Sequence, residues 1–198
     1  MKNKKNLKII LQARTMSSRL CAKSLLPLAN IPLAVLCAKR LSNTGYPVVA
    51  VIPKDKTDDE LCAVLKSNGI RVFRGNNKNV LSRYIQVSKN MKDDDLIVRA
   101  TADNPFPDGN FIKEMVSIFH KLNRKYMCTH EKYFHLPFGL AIQIFKSKYL
   151  KRLKNKNLSK NDKLHVVPAL ARDKINTKYV GKNLNYKKYY TNKKLSLD

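Results

Sequence analysis

The hydrophobic positions of the first 120 residues come in short solid runs, separated by stretches whose apolar residues recur at helical spacing. Leu7-Lys8-Ile9-Ile10-Leu11 reads as a buried strand, and a polar loop from Gln12 to Ser24 follows it. Pro32 opens a helical stretch in which Leu33, Leu36, Cys37 and Leu41 share one face, and Gly45-Tyr46-Pro47 ends it. Val48 to Ile52 is a second strand. Thr57-Asp58-Asp59-Glu60 has the form of a capping box, Thr57 with Glu60 three positions on, leading into Leu61, Val64 and Leu65. Gly69 closes that helix, Ile70 to Phe73 read as a third strand, Asn79 to Met91 as a third helix, and Asp95 to Ala100 as a fourth strand. Apolar strands alternating with helices mean βαβ units, and so an α/β fold whose mostly parallel sheet is covered on both faces.

The rest of the chain is less regular. Phe111 to Leu122 is an amphipathic helix, Tyr126 to Thr129 and Gly139 to Phe145 read as strands, and Lys163 to Arg172 reads as helical with a break or a start near Pro168. The tail from Asn183 to Lys194 is polar. No repeat or linker divides the chain, so residues 1–198 are expected to form one domain, with a regular part at 1–122 and a less regular part at 123–198. In such sheets ligands lie beyond the carboxyl ends of the strands, at the point where strand order switches. That directs attention to Gln12–Lys23, after the first strand, and to Thr101–Asp108, after the fourth.

Composition alters this picture in one respect. Lys and Arg number 40 against 14 acids, a formal charge of +26. A basic surface attracts phosphate, yet the lysines are spread along nearly every polar segment, and no nucleic-acid-binding motif accompanies them. Any nucleic-acid binding is therefore expected to be non-specific. No apolar run approaches the roughly 20 residues of a membrane span, and the basic start Met1–Lys5 has no cleavable apolar core behind it, so a cytoplasmic protein is expected. Cys21, Cys37, Cys62 and Cys128 form no Cys-x-x-Cys pair and do not cluster with the four histidines, which reads as small buried or half-buried thiols rather than zinc ligands or a disulfide.

The loop after the first strand, Gln12-Ala13-Arg14-Thr15-Met16-Ser17-Ser18-Arg19-Leu20-Cys21-Ala22-Lys23, holds two arginines and a lysine and no glycine. It is neither a Walker A loop nor a dinucleotide turn. Guanidinium forks and an ammonium along such a loop can wrap a polyphosphate, and a merely solvated basic loop has the same residue types. The stretch resembles the signature of bacterial sugar cytidylyltransferases, roughly Gln-Ala-Arg-x-x-Ser-x-Arg-Leu-Pro-Gly-Lys, and most of all the acylneuraminate and spore-coat-polysaccharide branch. Further blocks resemble that family in the same order: Val72-Phe73-Arg74-Gly75, Val80-Leu81-Ser82-Arg83-Tyr84, Val98 to Pro105, Pro137 to Leu140, His165-Val166 with Pro168, and Leu195 to Asp198.

The resemblance implies a Rossmann-like three-layer nucleotidyltransferase fold and a reaction in which a sugar oxygen attacks the α-phosphorus of CTP and pyrophosphate leaves. It implies that Gln12, Ala13, Arg14, Ser17, Arg19 and Lys23 hold the nucleotide, that Arg74 frames it, and that Asp103 and Asp198 bind Mg²⁺. Arg14, Lys23 and Asp103 become the catalytic candidates, the partners become CTP and an acidic sugar of the sialic-acid type, and a homodimer is left open. The chain also departs from the family. Cys21-Ala22 replaces Pro-Gly, Met16 and Ala102 stand where glycines are usual, and Asn79, Ala141, Gln143 and Leu164 stand where the family has acids. A catalytically inactive relative that binds nucleotide or sugar, and a basic nucleic-acid-binding protein, are the alternative readings.

Overall fold

The computed structural model describes residues 6–16, 20–43, 45–129, 139–154 and 156–172. Its centre is a six-stranded sheet in the order β5-β4-β1-β6-β8-β7, built from β1 (Leu7–Gln12), β4 (Val48–Pro53), β5 (Arg71–Gly75), β6 (Leu96–Thr101), β7 (Tyr126–Cys128) and β8 (Gln143–Lys146). β5, β4, β1 and β6 run parallel, and β8 joins β6 antiparallel, with β7 beyond it. The chain therefore moves outward from β1 through β4 to β5, then returns to the other side of β1 as β6. This reversal makes the carboxyl ends of β1 and β6 the switch point of a Rossmann-like fold.

Alternating side chains divide the core in two, as period-2 geometry requires. Ile9, Leu11, Ala50, Ile52, Val98, Ala100 and Ile144 face α1 (Leu33–Ser42), α2 (Asp59–Ser67) and α4 (Gly109–Lys121). Ile10, Val51, Ile97 and Phe145 face the opposite layer, which contains α3 (Val80–Val87), α5 (Ser147–Arg152) and α7 (Val167–Arg172), with α6 (Lys160–His165) adding Leu164 at its edge. Both faces of each central strand are dry, which is why the strands read as solid apolar runs rather than as alternating ones.

Several expectations are corrected. The segment before α1, expected to be plain loop up to Ser24, continues into a small hairpin of β2 (Pro27–Leu28) and β3 (Ile31–Pro32). Its two central residues, Ala29 at φ 51° and Asn30 at φ 59°, both adopt the left-handed conformation of a type I′ turn. The Thr57–Glu60 capping box does not form. Asp55 instead accepts from the Thr57 N–H and hydroxyl, and Asp58, at the start of α2, makes no cap of its own. The helix expected over Asn79–Met91 stops at Val87. The helical region before Arg172 divides at Val166 rather than at Pro168, with Val166 at φ 63°, and Pro168 sits in the first turn of α7, where its missing N–H goes unneeded. Cys37 and Cys62 are buried and Cys128 is half-buried, but Cys21 is exposed, because it lies on the outer part of the loop after β1. The expected tail at 183–194 lies outside the described residues. Among the described residues no helix is long and apolar enough to cross a membrane.

Two of the sequence blocks prove to be one packing unit. A Cβ at Gly75 would stand 2.6 Å from Cγ of Arg83 and 2.9 Å from Cε1 of Phe73. Glycine is needed at the end of β5 for space, because the buried stem of Arg83 lies across it. Gly75→Ala is expected to destabilise the fold by about 1–3 kcal/mol, the usual effect of forcing an extra carbon into a filled core. A lowered midpoint in urea at unchanged slope would report it.

Candidate active site

β1 and β6 run side by side with Gln12 opposite Thr101, and the Ala102 N–H donates to the Gln12 carbonyl at 3.0 Å. Arg14 and Asp103 each stand two residues beyond that pair and so leave the same edge of the sheet. Arg14 is exposed and Asp103 half-buried. Among the described residues one carboxylate oxygen of Asp103, Oδ1, is buried with no hydrogen-bond partner. An anionic oxygen withdrawn from water and unpaired is costly to maintain, and at a switch point it marks a place where a ligand or cation completes the coordination.

The loop after β1 is tied at its base. Thr15 N–H donates to Asp58 Oδ1 at 2.7 Å, Ala22 N–H to the Thr15 carbonyl at 3.0 Å, and the Ser24 hydroxyl to the Arg14 carbonyl at 2.9 Å. These bonds hold Thr15 and Ala22 together, and Lys23 begins the short 3₁₀ turn Lys23–Leu25 that leads out of the loop. Ser17 and Arg19 lie outside the described residues, as does Asp198. Ala13 is buried and packs in the core beside the edge.

Arg74 is engaged in structure. Its side chain donates to the Pro53 carbonyl at 3.2 Å and the Asp55 carbonyl at 2.7 Å, and pairs with Asp59 at 2.6 Å, so it binds the loop after β4 to β5. Asn77 continues that link by accepting from Lys54 N–H and donating to Asp55. Any framing of a nucleotide by Arg74 is therefore exerted through the loop it holds.

Sequence reasoning missed the other cations of this region. Arg99 points from β6 into the α3 layer, where its guanidinium donates to Gln143 Oε1 at 2.7 Å and Gln12 Oε1 at 3.0 Å, and Nε has no partner among the described residues. Arg83, only 2% exposed, makes two long contacts of 3.5 Å, to the Val51 and Asn77 carbonyls, and its Nε also has no partner among the described residues. Burial lowers the pKa of its guanidinium, against the opposing pull of Tyr84 and Asp58. Buried Tyr84 lies within electrostatic reach of both arginines, and burial pushes its phenol up to about 12. Among the described residues neither arginine has a carboxylate within ion-pair distance, although buried charges ordinarily require one. The available signal was a single arginine in an otherwise apolar strand, Leu96–Thr101, and a second one in an amphipathic helix.

The neutral residues at family acidic positions have clear local roles. Asn79 caps α3 by accepting from Ser82 N–H at 2.9 Å, which an amide does as well as a carboxylate. Gln143 accepts from Arg99 without neutralising it. Leu164 packs against the core of the α3 layer. Cys37, next to the site, donates to the Ala102 carbonyl at 3.4 Å, and burial pushes its thiol up to about 12, with the Asp103 carboxylate adding to the effect. It is a protonated packing group, not a nucleophile. His165 is exposed at the end of α6. Among the described residues no group of three or more metal-ligating side chains occurs.

Ala22 carries strain that the sequence only hinted at. It stands at φ 53° and ψ 19°, a left-handed conformation in which glycine is at ease and alanine is not. Ala22→Gly is expected to stabilise the protein by about 0.5–1 kcal/mol, the relief of strain exceeding the added freedom of the unfolded chain. A thermal melt should rise by about 1–4 °C.

Residues 8–196 match the family model described as cytidylyltransferase. An uncharacterised protein of Methanocaldococcus jannaschii is 31% identical over 163 residues, covering 81% of this chain and 65% of that protein. The spore coat polysaccharide biosynthesis protein of Bacillus subtilis is 36% identical over 114 residues, 54% of this chain and 47% of its own length. The chain thus spans between about half and two thirds of the length of these curated relatives. Among solved structures, a cytidylyltransferase from Leptospira borgpetersenii superposes with a TM-score of 0.76 at 26% identity, covering 96% of this chain and 77% of the other. The CMP:2-keto-3-deoxy-manno-octonic acid synthetase solved with CTP shares the fold, with a TM-score of 0.65 at 13% identity and 89% of each chain covered. With the family match running over almost the whole sheet and both of its switch-point segments, the chain belongs to the cytidylyltransferase family.

Proposed function

We propose that this chain transfers the cytidylyl group of CTP to an acidic sugar, giving a CMP-sugar and pyrophosphate for surface polysaccharide synthesis. The observation that carries the reading is the orphaned, buried Oδ1 of Asp103 at the same sheet edge as Arg14 and the loop leading to Lys23. In this reading Arg14, Lys23 and, from the undescribed part of the loop, Ser17 and Arg19 receive the triphosphate. Ala13 and the Gln12 backbone set the loop's take-off, and Arg74 holds the neighbouring loop. Guanidinium and ammonium groups suit a reaction in which negative charge shifts onto the leaving pyrophosphate. The sugar hydroxyl must then approach the α-phosphorus opposite that leaving group, from the side of β6 and β8.

The half-buried guanidinium of Arg99, held by two amides and no described carboxylate, supports an acceptor that brings its own negative charge. A hard oxygen such as Asp103 Oδ1 fits Mg²⁺, with Asp198 the second ligand that the family resemblance supplies. Such an ion, when bound, neutralises charge on the phosphates. Asp103 alone is a poor site for an ion reluctant to shed water, so Mg²⁺ is expected to bind measurably only together with CTP.

The test is pyrophosphate release measured with each nucleoside triphosphate against a panel of nonulosonic acids and neutral sugars. CTP-dependent release that requires a carboxylated sugar is the expected result. CTP binding without release from any pair would instead favour the inactive, nucleotide-binding alternative. Lys23→Ala is expected to weaken CTP binding by about 1–3 kcal/mol in a calorimetric titration, the range for a charge-assisted contact. Asp103→Asn should abolish turnover while leaving the fold intact by circular dichroism.

A further inference from the structure

The anchor of the loop after β1 lies outside the loop. Asp58 is 2% exposed and opens α2, a position from which an aspartate ordinarily turns its carboxylate back onto the first N–H groups of its own helix. It does not do so here. Its Oδ1 reaches instead to the Thr15 N–H, 43 positions away, at 2.7 Å. The other two ties at the loop base, from Ala22 N–H and from the Ser24 hydroxyl, are internal to the loop and its exit and would travel with it. Ala13 N–H also reaches the Val51 carbonyl of β4 at 3.3 Å, at the point where the chain leaves β1; beyond it, the bond to Asp58 is a side-chain tie from the loop to a separate element. Arg83 from α3 faces Asp58 electrostatically, and Arg14 lies within the same reach of Arg83.

We propose that Asp58 is the positioning residue of the nucleotide loop: by holding the Thr15 N–H it fixes where Arg14 stands relative to Asp103 and, through the Ala22 N–H on the Thr15 carbonyl, where Lys23 leaves the loop. The claim concerning ligand rests on the CTP reading above, whereas the claim concerning the loop rests on geometry alone. A hydrogen bond from a backbone amide to a carboxylate in a water-poor site is strong and directional. Removing the acceptor strands a buried N–H, and the loop must move to hydrate it. An amide side chain at position 58 keeps an acceptor oxygen in place, and a methyl group does not.

The test combines Asp58→Asn, Asp58→Ala and the unaltered protein. CTP and pyrophosphate are titrated calorimetrically well below the melting temperature, and exchange of the Thr15 amide is followed by NMR. A residue that serves only stability would lower the melting temperature and leave affinity in the folded protein unchanged. Positioning predicts that Asp58→Ala loses about tenfold or more in affinity for both ligands and that Asp58→Asn stays within about threefold. It also predicts that the wild-type Thr15 amide exchanges at least about tenfold more slowly than that of Met16. Unchanged affinity in Asp58→Ala, equal loss in both variants, or a Thr15 amide exchanging as fast as Met16 would each overturn the proposal. Should Asp58→Ala fail to fold, Asp58→Asn and the wild-type exchange rates still decide the matter. If the wild-type chain binds neither CTP nor pyrophosphate, the nucleotide reading falls, while the Thr15 exchange rate judges the clamp independently.

Discussion

The carboxyl edge depends on the parallel pairing of β1 with β6, in which Gln12 stands opposite Thr101 and both strands are dry on both faces. A slip of one residue would exchange the faces of a whole strand, turning Arg99 into the layer packed with Phe111 and Met115 and moving Val98 out of it. The register is thus set by two hydrophobic cores at once. Because it is fixed, the two loops that leave the edge start from known points, and the charged residues two positions beyond the pair leave the same edge of the sheet. The chemistry of the edge follows from apolar packing some distance below it.

The second organising feature is an imbalance of charge. Arg83 and Arg99 are held by carbonyls and amides, with Tyr84 within electrostatic reach of both and no carboxylate partner among the described residues. Neutral partners orient a guanidinium without cancelling it, so the field around them remains positive. This is separate from the high net charge of the chain, since most of the described lysines are exposed to water and salt. The surface pairs that Asp93 and Asp94 make with Lys146, Lys148 and Lys151 are of that solvated kind.

Much of the fold was legible because a parallel strand buried on both faces writes itself as an apolar run, as β1, β4 and β6 do, whereas β5, at the sheet edge, is only partly buried and carries two arginines. The β2–β3 hairpin was not legible: Ala29 and Asn30 take a turn conformation that glycine usually announces, and nothing in the residue types signals it. Asp58 was passed over for a physical reason. Its neighbours Thr57 and Glu60 satisfy a local capping pattern, and sequence has no means of showing that a carboxylate prefers a partner 43 residues away. Motif resemblance directed attention to Arg14, Lys23 and Asp103, and β1 and β6 bring Arg14 and Asp103 to one edge. It gave no role to Arg99 or Arg83, because a guanidinium in the middle of a strand or a helix acquires meaning only from what faces it. Asp198, Arg19 and Ser17 fall outside the described residues, so their part in the site rests on the resemblance alone.

The contact between Gly75 and the stem of Arg83 ties together two positions eight apart in the chain. A larger residue at position 75 is tolerable only if the side chain at position 83 is shortened and the ring of Phe73 gives way as well, and a shortened side chain at position 83 withdraws the donors that reach the carbonyls of Val51 and Asn77. Drift at either position alone meets steric overlap on one side or loose loops on the other. In the descent of this chain and its relatives the two positions are therefore expected to change together or not at all, and a library that randomises them jointly will sample sequences that no stepwise path between single variants reaches.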